Sequence, residues 1–185
     1  MTASLTKHFA HKIKAVDELS KIIGPFPREK TVIMCHGTFD VVHPGHLRHL
    51  LYAKSKAHVL VASLTADRHI TKGETRPHIP QDLRAANLAA YEIVDYVIID
   101  DNATPLENLR KLQPDFFVKG YEYVAGTPNP KTEEERDVIQ SYGGEIIFSP
   151  GDFVFSSSRL IKLSAPEIRN EKFLALMERK NISFD

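Results

Sequence analysis

"TVIMCHGTFDVVHPGHLRHLL", residues 31–51, runs from an apolar stretch through a glycine turn into a helical pattern. Residues 31–35 form a short continuous apolar run, the pattern of a strand buried on both faces. Gly37 follows, and Pro44 suits the first turn of a helix. Leu47, Leu50 and Leu51 are the expected inner face of that helix. Strand, glycine turn and helix in this order form the unit from which parallel α/β sheets are built.

The same unit recurs along the chain. Upstream, Ile13, Val16, Leu19, Ile22 and Ile23 predict a helix over 12–23, ended by "GPFP". Downstream, "HVLVASL" (58–64), "YVIID" (96–100), "FFVK" (116–119) and "EIIF" (145–148) read as four further strands. Between them lie a helix from Pro80 to about Ile93 and one opened by "TPLE" (104–107), with Leu106, Leu109 and Leu112 inward. "TPLE" carries both a capping-box pattern and a proline at the first helical position. A third helix is capped by "TEEE" (132–135) and stops at Gly143-Gly144. Further helical stretches are expected from the serines at 156 and from Pro166. The expected fold is α/β: a Rossmann-like, parallel five-stranded sheet with helices on both faces. In such sheets ligands bind beyond the carboxyl ends of the strands.

Composition narrows the class. Lys and Arg total 24, as do Asp and Glu, so the formal net charge is zero. That removes the electrostatic case for a nucleic-acid or membrane-surface partner. Cys35 is the single cysteine, which excludes an internal disulfide and a multi-cysteine zinc site. It reads as a small buried apolar residue. The first 19 residues lack the apolar core of a signal peptide, and no apolar run nears the roughly 20 residues that span a bilayer. A cytoplasmic location is expected.

The loop at 36–46 has the makings of an anion site. Gly37 allows close backbone approach, and the amides of Thr38 and Phe39 are placed to face a ligand. The helix start near Pro44 supplies free N–H groups and a positive dipole end. His43, Gly45 and His46 sit there. Zinc is the rival, since His46 and His49 are three apart, but no third ligand has motif spacing. His49 is expected on the helix surface.

"GTFDVVHPGH" resembles the signature of the H-x-G-H nucleotidyltransferases, the cytidylyltransferase-like superfamily. "FSSSRLIK" (155–162) is similar to its late serine/threonine-rich turn. Lys72-Gly73, Thr75-Arg76-Pro77, Pro80 with Arg84, Val94-Asp95, Thr104-Pro105, Pro114-Asp115, Val118-Lys119-Gly120 and Gly143-Gly144-Glu145 resemble, in order, one branch: the adenylyltransferase domain of ADP-heptose synthases. The likeness runs from about Lys12 to Ala165.

The resemblance implies a reaction and roles. A phosphate oxygen of an acceptor attacks the α-phosphorus of ATP or CTP, and pyrophosphate leaves. The acceptor is a sugar or polyol phosphate, and the product an activated sugar for glycan assembly. His43, His46 and Lys72 are the implied catalytic residues: the histidines on the β- and γ-phosphates, the lysine on the α-phosphate. Gly37, Thr38, Phe39, Asp40, Gly45, Arg84, Lys119, Gly120, Ser156, Ser157 and Ser158 are the implied nucleotide contacts. Asp67, Arg76 and Tyr121 are the implied acceptor contacts. Magnesium is expected to bridge the phosphates rather than sit in a protein cage, with Asp40 the nearest carboxylate. A homodimer is expected by the same resemblance. So is a division into a nucleotidyltransferase domain over 1–165 and a helical extension over 166–185, a linker to a kinase domain in fused relatives.

The chain departs from that branch at four places. His36 stands where Asn is usual, Tyr121 replaces a second glycine, the serine run replaces Ser-Thr-Thr, and "VAGTPNPKTEEERD" (124–137) is longer. The first three leave the reaction class intact and bear on the sugar's identity, and Tyr121, a ring and hydroxyl where a glycine would leave backbone exposed, predicts an acceptor other than heptose 1-phosphate. The alternatives are transfer to a non-sugar phosphate, such as a flavin or another phosphorylated alcohol, and a non-catalytic nucleotide-binding module.

Overall fold

The computed structural model describes residues 2–71, 76–120 and 130–150. Five strands, β1 (Val32–Gly37), β2 (Val59–Thr65), β3 (Tyr96–Asp100), β4 (Phe116–Lys119) and β5 (Glu145–Phe148), form one sheet in the order β3-β2-β1-β4-β5. Every neighbouring pair is parallel. The expected five-strand parallel sheet is therefore the observed one. The chain leaves β1 in one direction to build β2 and β3, then returns to its other side for β4 and β5. That reversal puts the sheet's topological switch between β1 and β4, the place where open α/β sheets bind ligands.

Alternation along the strands sorts the core into two layers. Ile33 and Cys35 of β1 face α3 (Pro44–Lys54) and α4 (Gln81–Ala89), packing with Leu50, Ala53, Ala85 and Leu88. Val32 and Met34 face α2 (Val16–Ile23), α5 (Leu106–Leu112) and α6 (Pro130–Ser141), packing with Leu19, Leu109, Leu112 and Ile139. Burial pushes the Cys35 thiol up to about 12, so it remains a neutral core group. None of the helices among the described residues is long and apolar enough to cross a membrane.

The structure differs from the sequence reading at element ends. A short helix α1 (Thr2–His8) precedes the first expected helix and lies against α4. Residues 12–14 are not helical: Val97 N–H donates to Lys12 C=O and Lys14 N–H to Val97 C=O, extending the sheet edge beside β3. Backbone pairing with an open edge outweighs the helical spacing of Ile13. On α3 the inward residues are Leu50 and Ala53, whereas Leu47 is 37% and Leu51 49% exposed. α4 stops at Ala89 rather than Ile93. Pro105, not Thr104, is the residue that flanks α5, without a side-chain cap. α6 begins at Pro130, so Thr132 lies inside it, buried, with its hydroxyl unpaired. The helical stretches expected after 156 and the extension over 166–185 lie outside the described residues.

Candidate active site

Parallel strands bring all five carboxyl ends to one edge: Gly37, Thr65, Asp100, Lys119 and Phe148. The loop after β1 crosses this edge and turns into α3. Its two histidines start the helix. His43 is the N-cap and its Nδ1 accepts the Gly45 N–H at 3.1 Å. His46 Nδ1 accepts the His43 N–H at 3.4 Å, completing a capping box with histidine in both side-chain roles.

This geometry decides the tautomers. A neutral imidazole carries one proton, and Nδ1 of both rings is an acceptor here, so the proton resides on Nε2. Both rings stay neutral near pH 7. Burial lowers the His43 pKa. Burial, with the neighbouring His43 and His49, lowers that of His46 to about 4. The ring centroids are 4.0 Å apart, so two Nε2–H donors are presented together at the positive end of an 11-residue helix. The histidines therefore cap the helix, a role that the sequence reading did not give them, and Nε2–H is the donor each ring has left. His49 is half-buried and its Nδ1 lies 2.8 Å from Ser149 Oγ, which ties α3 to the end of β5.

Several residues expected to touch the nucleotide or acceptor are turned to other work. Asp40 is 2% exposed. Its Oδ2 accepts from Arg76 Nη1 at 2.6 Å, and its Oδ1 from the His78 and Ile79 N–H groups at 2.8 and 3.0 Å. Those bonds hold its pKa below the usual carboxylate value against the opposing effect of burial, the largest single influence. Three of the carboxylate's roughly four acceptor sites are thus engaged by the protein. Among the described residues no group of three or more His, Cys, Asp or Glu side chains is placed to hold a metal ion. Arg84 is 0% exposed and donates to the carbonyls of Thr38, Thr65 and Ile79 and to Asp67 Oδ1. Asp67 also exchanges two bonds with Gln81, at 2.9 and 3.1 Å. Asp40 and Arg84 are thus buried beneath the loops, with Arg76 and the half-exposed Asp67 paired to them.

Beyond the switch point lies a second feature, a cleft of ~320 Å³ lined by His36, Thr104, Lys119, Lys131, Glu134 and Glu135 among others. Lys119 and Glu135 form a buried ion pair. His36 has its ring nitrogens 3.0 Å from Ser63 Oγ and 3.2 Å from Thr65 Oγ1. Burial and then the Lys119 charge lower its pKa to about 4. Behind it, Asp100 is fully buried and its Oδ2 lacks a hydrogen-bond partner, 3.7 Å from His36 Nδ1. Burial raises the Asp100 pKa.

Sequence reasoning placed Gly37, Thr38, Phe39, Gly45, Lys119 and Gly120 at this edge, and all lie there. It did not find Glu135, Asp100 or Gln81. Glu135 is 16 residues from Lys119, and only the return of α6 across β4 brings them together. Gln81 follows Pro80, and a polar residue opening a helix was the one available signal. Lys72, Tyr121, Ser156, Ser157 and Ser158 lie outside the described residues.

The parallel sheet, its switch point and the histidine-capped start of α3 define a Rossmann-like α/β fold with a candidate anion site at the sheet's carboxyl edge. The profile of one family, described as cytidylyltransferase-like, matches residues 34–171, and the chain belongs to that family. The bifunctional protein HldE of Geobacter metallireducens is 41% identical over 138 residues, which are 73% of this chain and 27% of the relative. HldE of Gluconobacter oxydans is 35% identical over 153 residues, 80% of this chain and 30% of the relative. The chain thus spans a little over a quarter of these curated relatives. Among solved structures, the lipopolysaccharide core biosynthesis protein of Thermoplasma volcanium superposes with a TM-score of 0.57 at 21% identity, covering 67% of this chain and 99% of that one. Pantoate-beta-alanine ligase of Francisella tularensis gives 0.60 at 14% identity, covering 86% and 76%. These two share the fold.

Proposed function

We propose that the chain transfers the nucleotidyl group of ATP or CTP to a sugar or polyol phosphate and releases pyrophosphate. The observation that carries this is the pair of Nε2–H donors that His43 and His46 present at the N-terminus of α3. A triphosphate laid across that helix start meets two neutral donors, free backbone amides and a positive dipole end. The acceptor phosphate is already ionised near neutral pH, so its oxygen attacks the α-phosphorus without a general base. The bond from the α-phosphorus to the bridging oxygen of the β-phosphate breaks, and charge grows on the departing pyrophosphate. Positioning and neutralisation of that charge are what the protein supplies.

The acceptor fits the cleft across the switch point. Its walls are polar and carry both signs of charge, with Lys119 and Lys131 facing Glu134 and Glu135. Such a lining suits a ligand with a phosphate and several hydroxyls better than a flat apolar one, which favours sugar or polyol over flavin. Lys72 on the α-phosphate, Ser156 to Ser158 on the triphosphate and Tyr121 on the acceptor complete the proposed site. Magnesium would be held by the phosphates, since the protein already engages most of the Asp40 carboxylate. The product is proposed to serve glycan assembly, and the reaction to run in the cytoplasm, where nucleoside triphosphates are made. A homodimer is proposed as well, and sedimentation at micromolar concentration tests it.

The decisive experiment is a matrix of nucleoside triphosphates against phosphorylated acceptors, read by pyrophosphate release. Turnover with one sugar or polyol phosphate supports the proposal. Turnover only with a flavin-like acceptor, or nucleotide binding without any turnover, rejects it.

A further inference from the structure

The residues after β1 hold a backbone shape that ordinary side chains avoid. Phe39 has a φ of +49° and is 4% exposed. A non-glycine residue in the left-handed region is disfavoured, and it persists only where its surroundings dictate it. Two buried groups do so. Asp40, on one side, is bound by Arg76 and two backbone amides. On the other side, Arg84 donates to the Thr38 carbonyl.

Arg84 is an unusual group to bury completely. Its charge is shared between the half-exposed Asp67 carboxylate and three carbonyls, from the loop after β1, the end of β2 and the turn before α4. Only a guanidinium offers donors in enough fixed directions for such a set. The consequence for the loop follows from peptide geometry. The Thr38–Phe39 bond is trans, since the cis bonds are at Pro27 and Pro77. In a planar trans peptide the C=O and N–H point in opposite directions. With Thr38 C=O held toward α4 by Arg84, the Phe39 N–H is aimed away from α4. The Phe39 ring lies against that of His46, with centroids 5.2 Å apart. That ring contact places Phe39 beside the start of α3, where the two imidazoles lie.

We propose that Arg84 is a positioning residue for nucleotidyl transfer: by gripping the Thr38 carbonyl it fixes the Phe39 N–H as a third donor to the β- and γ-phosphates, and it touches no substrate itself. This rests on the nucleotidyl-transfer reading above. It replaces the direct phosphate contact that the resemblance implies for Arg84. A donor misplaced by about 1 Å costs on the order of a hundredfold in rate, even when the change lies away from the chemistry.

Two measurements test it. In the first, uniformly 15N-labelled unmodified protein is titrated with pyrophosphate and the Phe39 amide resonance is followed; this needs no turnover, so it separates failure of the positioning role from failure of the reaction assignment. A saturable shift of Phe39 supports the proposal, and a Phe39 resonance that stays still while pyrophosphate binds overturns it. In the second, Arg84→Lys is compared with the unmodified protein. The expected result is a fall in kcat of on the order of a hundredfold with the nucleotide KM changed less than about threefold, and loss of the Phe39 shift. Millimolar guanidinium added to Arg84→Ala should restore part of kcat. Near-normal kcat in folded Arg84→Lys, or a nucleotide KM that rises as steeply as kcat falls, contradicts the role. If Arg84→Lys does not fold, Arg84→Ala with and without guanidinium decides: no recovery of kcat contradicts the role.

Discussion

The backbone N–H of His43 donates to His46 Nδ1, and His43 in turn caps the helix that carries His46. Each ring thus turns its basic nitrogen to the backbone and its Nε2–H outward. Stability and phosphate recognition are carried by opposite sides of one imidazole, so they are separable by substitution. His43→Asn retains an acceptor near the position of Nδ1 and deletes the Nε2 donor. It should keep stability within about 0.5 kcal/mol, since Asn is a good N-cap, and lose on the order of a hundredfold in kcat. His43→Ala should lose the same activity and about 1 kcal/mol of stability besides. Urea denaturation and steady-state pyrophosphate release read the two effects. Equal activity in His43→Asn and the unmodified protein would remove His43 from the chemistry.

Acid stability follows from the buried imidazoles. His36 and His46 have folded pKa values of about 4, against about 6.5 in an unfolded chain. Above pH 6.5 neither state binds the extra protons, and the histidines do not affect stability. Between 6.5 and 4 the unfolded chain binds them first, so stability falls as pH falls. For His36 the loss across that window is on the order of 3 kcal/mol. Denaturation midpoints should decline through this range, and His36→Gln should flatten the slope. An unchanged slope in that variant would mean that His36 is protonated in the folded protein.

Asp40 gives the sharpest contrast between a ligand and a structural carboxylate. Asp40→Ala leaves the Arg76 guanidinium and the His78 and Ile79 amides without their acceptor, and should cost about 3 kcal/mol. In Asp40→Asn, any turnover that survives should need the same magnesium concentration as the unmodified protein. A requirement raised more than about tenfold would make Asp40 a metal ligand after all.

The strands and their carboxyl-edge loops were legible because buried parallel strands have continuous apolar runs that few other elements imitate. The loop that brings Gly37, His43 and His46 to the start of α3 was legible because adjacent residues build it. What the sequence hid was direction. Whether Asp40 and Arg84 face a ligand or the protein depends on where α4 packs, and local spacing does not encode that. The inner face of α3 differs for a related reason: Leu47 has helical spacing with both Leu50 and Leu51, but the sheet lies under Leu50 and Ala53. The edge pairing of Lys12 and Lys14 with Val97 joins residues more than 80 apart, beyond any local pattern.

Lys72 is proposed to meet the α-phosphate, where charge grows in the transition state. Lys72→Ala should lower kcat by about a hundredfold, roughly 3 kcal/mol in the barrier, with a much smaller change in nucleotide affinity. Single-turnover rates and nucleotide binding by calorimetry separate the two. Near-normal turnover in this variant would exclude Lys72 from the mechanism.

The central claim is that an acceptor phosphate attacks the α-phosphorus of a nucleoside triphosphate. Phosphorus-31 NMR of a reaction mixture containing the protein, magnesium, a nucleoside triphosphate and a sugar or polyol phosphate tests it most directly. The account predicts a pair of mutually coupled doublets from a new diphosphate bridge between nucleoside and acceptor, growing in step with a pyrophosphate singlet. Appearance of nucleoside diphosphate and inorganic phosphate instead would place cleavage at the γ-phosphorus and contradict it.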